Sequence, residues 1–258
     1  MSREYEDRYV AFLDICGFSD VIGRTLPPAP SVTVDDVLSA LAIPSEVNLE
    51  EVILGRIGDI TAAKHSLTAF SDCVAISTAA SEQGLMNLLF HARAILFRLL
   101  KMGFLVRGGI ARGLAFHDQG MIFGPAMLEA YRLEREVAVY PRVVLEPSIV
   151  ETTLQAPPPV DRVFAYLTRR NDDGLYMVHS LWALRMAADS EVGFVGPWRE
   201  QVDKIAAFLD EEERRLLLRT DGESALAKVR WFRGYFNWAI DRSWVLVMHQ
   251  PFPAPRGA

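Results

Sequence analysis

Between residues 85 and 100 the chain carries Leu85, Leu88, Leu89, Ala92, Ile95, Leu96, Leu99 and Leu100, recurring every three or four positions. That spacing draws one apolar stripe along a helix, and such a stripe has to lie against a second apolar layer. Gly103 follows where a C-terminal cap belongs. On the N-terminal side, "HSLTAFSDCVAIST" (65–78) reads as two strands joined by a tight turn at Ser71 and Asp72. On the other side, "FLVRGGIARGLAF" (104–116) and "QGMIFG" (119–124) read as a second strand pair.

Upstream, "RYVAFLDI" (8–15) is a short, nearly all-apolar strand of the kind covered on both faces. Gly17 and "FSDVIGR" predict a turn into a helix, and the prolines of "TLPPAPS" (25–31) predict a loop. Residues 33–64 read as one or two helices, including "NLEEVILGRI". Downstream, "PAMLEAYRLEREVAV" (125–139) reads as one helix with Pro125 in its first turn. "PRVVLEP" (141–147) gives a further strand, "PPPV" (157–160) a break, and "VFAYLTRRNDDGLYMVHSLW" (163–182) a hairpin turning at "NDDG". From about residue 183 the character changes to two amphipathic helices, near 198–217 and 222–242. The second carries Leu226, Val229, Phe232, Phe236 and Ile240 at helical spacing, a packing stripe rather than a platform for bases. The expected division is therefore a domain over 1–182 and a mainly helical extension over 183–258, with "PFPAPRGA" as a loose tail.

Half of the 258 residues are hydrophobic and the charged fraction is ordinary, which excludes a disordered chain. A net charge of -6 argues against broad binding to nucleic acid. The start "MSREYEDRYV" is charged where a signal peptide is apolar, and no uninterrupted apolar run is long enough to cross a bilayer. The two cysteines, Cys16 and Cys73, form no CxxC and have no histidine at ligand spacing, which fits a reducing cytoplasm and gives no zinc signal.

Two acids stand out by position. Asp14 ends an apolar strand just before Gly17, and Asp72 sits between two apolar runs at a hairpin tip. A strand, a turn and a helix place a carboxylate beside the free N–H groups of a helix N-terminus, which suit phosphate oxygens. A second carboxylate on a neighbouring strand can share a divalent cation with the first, in the pattern Mg²⁺ and Mn²⁺ favour. Either acid alone is more simply a turn former or cap. Arg107, a charge inside an apolar strand, needs a partner and is one of two candidate catalytic cations, the other being Arg132.

"FLDICGF" resembles the first metal motif of the class III nucleotidyl cyclases, "FSDCVAIS" their hairpin with the second metal acid, "RGGIARG" the following strand and "FGPAMLEAYRLE" the next helix. Together with "YPRVVL", these pieces are similar to the pyrimidine cyclases of Pycsar antiphage defence, over roughly residues 8–147 in consistent order. The resemblance implies an α+β fold: a mixed sheet with a ferredoxin-like core, flanked by helices. It implies that Asp14 and Asp72, with the carbonyl of Ile15, hold two divalent cations (Mn²⁺ or Mg²⁺). Gly17, Phe18 and Ser19 would offer backbone N–H groups to the phosphates, with Phe12 beside them. Arg132 falls at the family's transition-state arginine, but four residues earlier the usual Asn is Leu128; on spacing alone Arg132 is equally a solvated helix residue. A rival second acid, Asp59 in "RIGD", is followed by the poor strand "ITAAKHS", so it reads as a cap or loop residue.

In the adenylate cyclases a Lys four residues before the second metal Asp, and an Asp three before the glycine that opens the next helix, read adenine. Here those positions are Thr68 and Met121, which cannot reproduce the pair, so adenine is disfavoured. The resemblance then points to UTP, converted to 3′,5′-cyclic UMP and pyrophosphate, with CTP the alternative. It also implies a homodimer with sites at its interface and a separate effector protein for the cyclic nucleotide. Two other classes stay open: a cyclase-like module that binds nucleotide without turning it over, and a protein-interaction module whose acids only shape turns.

Overall fold

The computed structural model describes residues 4–28, 32–41, 65–190, 193, 196–220 and 222–241. The chain divides into two compact units, Met1–Ser180 and Leu181–Ala258. In the first, strand β1 (Glu6–Ile15) leads through Gly17 into helix α1 (Phe18–Thr25), followed by α2 (Val34–Leu41). The hairpin of β2 (His65–Phe70) and β3 (Cys73–Ala79) precedes helix α3 (Glu82–Lys101). Then come β4 (Val106–Asp118) and β5 (Met121–Phe123). Strands β2, β3, β1 and β4 lie side by side in that order, each antiparallel to its neighbour. That order is the ferredoxin-like arrangement expected.

The apolar stripe forms α3 as its spacing requires, three residues longer at the start than the stripe itself. Ser81 caps the helix by accepting from the Gly84 amide at 3.0 Å, and Gly103 takes a positive φ just past its end. The β2–β3 turn falls at Ser71 and Asp72, where Ser71 also has a positive φ. Because β1 is apolar on both sides, each face of the sheet carries its own layer. Ala11, Leu13 and Ile15 join Val74, Ile76, Val106 and Ile110 beneath α3. Val10, Phe12, Ala111 and Ala115 pack on the opposite face against helix α4 (Pro125–Arg132).

Gly109 sets how closely α4 can approach. A Cβ there would run into the backbone carbonyl of Ala130 and lie 2.5 Å from Leu133 Cβ. The predicted single helix over 125–139 departs from the structure at this point. After Arg132 the chain widens into a π-helical turn, Leu133–Val137, with Leu133 and Glu134 buried.

Beyond it, β6 (Val143–Leu145) pairs parallel with β4, making the sheet mixed. Helices α5 (Pro147–Leu154) and α6 (Val160–Leu167) follow. The hairpin read over 163–182 is therefore corrected. Only β7 (Thr168–Arg170) and β8 (Tyr176–Val178) flank the "NDDG" turn, and residues 163–167 belong to α6. Val160, Val163, Phe164 and Leu167 are all buried, so helical spacing overrode the local strand propensity.

The second unit holds α7 (Trp182–Asp189), α8 (Pro197–Leu217) and α9 (Glu223–Ile240). Val229, Phe232 and Phe236 of the predicted stripe are buried, joined by Tyr235 and Ala239. Glu213 of α8 accepts from Arg230 at 2.9 Å and Arg233 at 2.7 Å on α9. Arg185 donates to the carbonyls of Trp238 and Asp241, satisfying the C-terminus of α9. The helix expected around "NLEEVILGRI", the role assigned to Asp59 and the loose C-terminal tail lie outside the described residues.

Candidate active site

The sheet register brings the two acids together. Asp14 is opposite Cys73 on β3 and opposite Arg107 on β4, and the Ile15 amide donates to the carbonyl of Asp72 at 2.9 Å. One carboxylate oxygen from Asp14, one from Asp72 and the Cys73 sulfur all lie within 4.8 Å of one another. Two carboxylates converging from a strand and a neighbouring hairpin turn suit a divalent cation, with remaining positions open to water or phosphate. The donor set of Asp14 and Asp72 fits a divalent cation.

Cys73 lies between the acids, its Sγ 3.5 Å from Asp72 Oδ1 and 3.8 Å from Asp14 Oδ1. Burial, and then the charges of Asp72 and Asp14, push its thiol up to about 12, so it remains a protonated donor to both carboxylates. Position beside the acids was the available sequence signal for Cys73; on its own it reads as a small buried hydrophobe.

Arg107 supplies the counter-charge. Its Nε donates to Asp14 Oδ2 at 3.0 Å, and its Nη2 lies 2.7 Å from Glu134 Oε1. Burial alone would weaken its protonation, but the hydrogen bond to Asp14 and the charges of Glu134 and Asp14 outweigh it and raise its pKa. Glu134 is only 3% exposed. The π-helical turn holds it inward, above Gly109. Sequence reasoning missed Glu134, since within "AYRLEREV" it reads as a helix-surface charge.

The remaining expected site residues are placed as follows. Gly17 is left-handed (φ 71, ψ 35) at the start of α1, and no side chain caps the helix there. The amides of Phe18 and Ser19 accordingly open α1 without a capping group. Ile15 is buried among the residues beneath α3. Phe12 packs its ring edge-on to Tyr131 of α4, a core contact. Phe70, next to the turn and opposite Cys73, is 81% exposed. Arg132 donates twice to Glu129, at 2.6 and 2.8 Å, and once to Glu136 at 3.4 Å, all on the same helical surface. The Glu129 hydrogen bonds raise its pKa. Leu128 is exposed. The structure thus groups Asp14, Asp72 and Arg107, and engages Arg132 with its own helix.

Thr68 lies one side-chain row from Asp14, on the same face, opposite Ala75. Met121 is exposed at the head of β5, in register with Asp118. The residue that reaches Thr68 is instead His117, whose Nε2 lies 2.9 Å from Thr68 Oγ1. His117 Nδ1 is 2.8 Å from Ser77 Oγ, and Arg8 Nε donates to that same oxygen at 2.9 Å. Burial, and then the Arg8 charge, pull the imidazole down to about 4. A polar ring inside the apolar run "GLAFHD" was the sequence signal for this residue.

No family model and no curated protein matches the chain. Solved structures do. A bacterial light-regulated adenylyl cyclase matches at 18% identity and a TM-score of 0.40, covering 70% of this chain and 54% of that one. The adenylate/guanylate cyclase/hydrolase from Silicibacter pomeroyi matches at 17% and 0.38, covering 69% and 96%. The catalytic core of a rhodopsin-guanylyl cyclase with converted specificity, in complex with ATPalphaS, matches at 15% and 0.37, covering 68% and 96%. The chain spans about half the length of the first of these. Among the described residues no helix is long and apolar enough to cross a membrane.

Proposed function

We propose that the chain is a nucleotidyl cyclase that converts UTP to 3′,5′-cyclic UMP and pyrophosphate. The observation that carries this reading is the convergence of Asp14, on β1, and Asp72, at the tip of the β2–β3 hairpin, with the uncapped α1 following β1. Either acid alone would be a turn residue; together they make a site for charge on one side and for phosphate on the other.

In this reading the substrate's 3′-oxygen bonds to the α-phosphorus, its proton passes to solvent, and the bond from that phosphorus to the β-phosphate oxygen breaks. When bound, the two divalent ions supply acidity at the 3′-hydroxyl and neutralise phosphate charge. Asp14 and Asp72 hold them, with the carbonyl of Ile15. The amides of Gly17, Phe18 and Ser19 orient the β- and γ-phosphates, so positioning and electrostatics supply most of the rate. Arg107, fixed by Glu134, keeps Asp14 oriented. Arg132 would act on a site shared with a second copy of the chain, as in the homodimer the sequence resemblance implies. Thr68 faces the base. The product would be a signal in antiphage defence, received by a separate effector inside the cell.

A second reading, a module that binds nucleotide without turnover, is favoured by Arg132, which is tied to Glu129 and Glu136. Incubation with Mn²⁺ and each of the four NTPs separates the two. Cyclic UMP and pyrophosphate are expected. Binding with no cyclic product from any NTP would establish the module, and cyclic AMP as main product would overturn the pyrimidine assignment alone.

A further inference from the structure

We infer that Arg24 is a positioning residue that sets the phosphate-facing turn at residues 17–19 against the acid pair, by clamping the far end of α1 to residues 102–105. This deepens the nucleotide reading above and rests on it for the identity of the ligand.

Helix α1 has little apolar hold on the fold. Of its described apolar side chains, Phe18 packs against the core, while Ile22 is 43% exposed. No side chain caps its N-terminus. A helix of eight residues is marginal without contacts to the rest of the fold. The position of α1 is therefore set largely by the polar groups at its two ends.

Both ends are tied to one connector, the stretch between α3 and β4. At the front, the Cys16 amide donates to the Leu105 carbonyl at 2.8 Å. At the back, Arg24, in the last turn of α1, donates from Nη2 to the Met102 carbonyl at 2.8 Å and from Nη1 to the Gly103 carbonyl at 3.4 Å. Its guanidinium carbon lies 4.7 Å from the centre of the Phe104 ring, and Phe104 is buried. The carbonyls of Leu99 and Leu100, in the last turn of α3, accept from the amides of Met102, Gly103 and Phe104. Arg24 supplies donors to the carbonyls just beyond, at the negative end of the α3 dipole. A flat fork that spans two carbonyls while lying on an aromatic face suits a guanidinium; an ammonium is a single point charge.

The same connector leads into the strand that orients a candidate metal ligand. Val106 opens β4 directly after Leu105, in register with Ile15, and Arg107 follows opposite Asp14. One short segment thus locates both the start of α1 and the Arg107–Asp14 hydrogen bond. With Arg24 in place, the amides of residues 17–19 and the Asp14 carboxylate keep the fixed spacing that a metal-bound polyphosphate needs. Without it, α1 pivots about the Cys16 tether. Phosphate contacts are then lost, while Asp14 and Asp72 stay where the sheet and the Ile15–Asp72 hydrogen bond hold them.

The test uses the full chain, Mn²⁺ and inorganic tripolyphosphate, a probe without sugar or base, with Kd read by calorimetry. Arg24→Met keeps a stem against Phe104 and removes the donors; Arg24→Lys keeps the charge without the fork. Arg24→Met should weaken tripolyphosphate binding about tenfold, Arg24→Lys less, and both should leave the Kd for Mn²⁺ alone unchanged. In turnover, KM for UTP should rise with the tripolyphosphate Kd, and kcat should fall by less. A merely structural role would lower the melting temperature and weaken Mn²⁺ and tripolyphosphate together, and that result overturns the inference. An unchanged tripolyphosphate Kd in folded Arg24→Met overturns it too and leaves the cyclase standing, as does a wild type that binds UTP but not tripolyphosphate. If Arg24→Met does not fold, Arg24→Lys is read by the same criteria. An Arg24-dependent tripolyphosphate Kd with no cyclic product from any NTP overturns the cyclase and leaves the clamp standing.

Discussion

Arg107 and Asp14 face each other across the β4–β1 ladder, joined by a 3.0 Å hydrogen bond between Nε and Oδ2. The same guanidinium reaches Glu134, so one cation fixes a candidate metal ligand and neutralises a buried acid. Arg107→Ala would leave Glu134 buried without its counter-charge. Since the arginine is partly open to solvent, a loss of about 2 kcal/mol is expected. Adding Glu134→Gln should restore about half of it, and urea titration of the two single variants and the double variant reads the coupling. Additive losses would show that the pair is not coupled. Arg107→Lys keeps the charge but not the fork, and should recover stability better than Asp14 geometry.

The acid pair predicts stabilisation by cation that does not depend on turnover. At a hundredfold excess over Kd, Mn²⁺ should add about 2.7 kcal/mol, a rise of several degrees in Tm for a chain this size, reversed by EDTA. Asp14→Asn and Asp72→Asn should each remove most of that rise. If both variants keep it, the ion binds elsewhere and the proposed chemistry loses its footing.

Two glycines at the site should respond differently to alanine. At Gly109 the new methyl meets the Ala130 carbonyl and Leu133 Cβ, so α4 and the π-helical turn must lift from the sheet. We expect about 2–3 kcal/mol of destabilisation by thermal or chemical denaturation, with Arg107 and Glu134 pulled apart. At Gly17 a methyl meets nothing within 4 Å, but φ is 71°. There the cost is conformational, about 1 kcal/mol, and the larger effect should fall on phosphate affinity.

Much of this arrangement was legible because local and non-local signals agreed. The stripe from Leu85 to Leu100, the turn at Ser71 and Asp72, and the acid at the end of β1 each carry a pattern that later packing did not override. The π-helical turn left no such mark, because Leu133 and Glu134 continue a helical pattern and depart from it only where Gly109 admits the chain. Helix α6 was masked by β-branched and aromatic residues at 163–166, whose spacing outweighed their propensity. Glu134 meets Arg107, and His117 meets Thr68 and Ser77, across long stretches of sequence, and spacing alone does not reveal such partners. Arg132 is the reverse case, since a family position named it and its own helix engages it.

Two buried imidazoles give the fold a pH dependence with a definite sign. Burial, and then the charges of His65 and Arg98, hold His91 at about 4; burial and then Arg8 hold His117 at about 4. Their unfolded value is 6.5, so between 6.5 and 4 the unfolded chain binds protons that the folded chain refuses. Stability is therefore full above about pH 7, falls as pH drops through 6.5 toward 4, and takes no further loss from these two groups below that. At about 1.4 kcal/mol per pH unit, the gap of 2.5 sets an upper bound of about 3.5 kcal/mol for each ring. The test is urea unfolding at pH 7.5, 6.0 and 4.5 for wild type, His91→Gln and His117→Gln. Each variant should lose less stability than wild type over that span, and His117→Gln should do so without altering Mn²⁺ binding, because the ring lies apart from Asp14 and Asp72. A variant that tracks the wild-type slope would show that its histidine titrates alike in both states, and that the burial assigned to it is wrong.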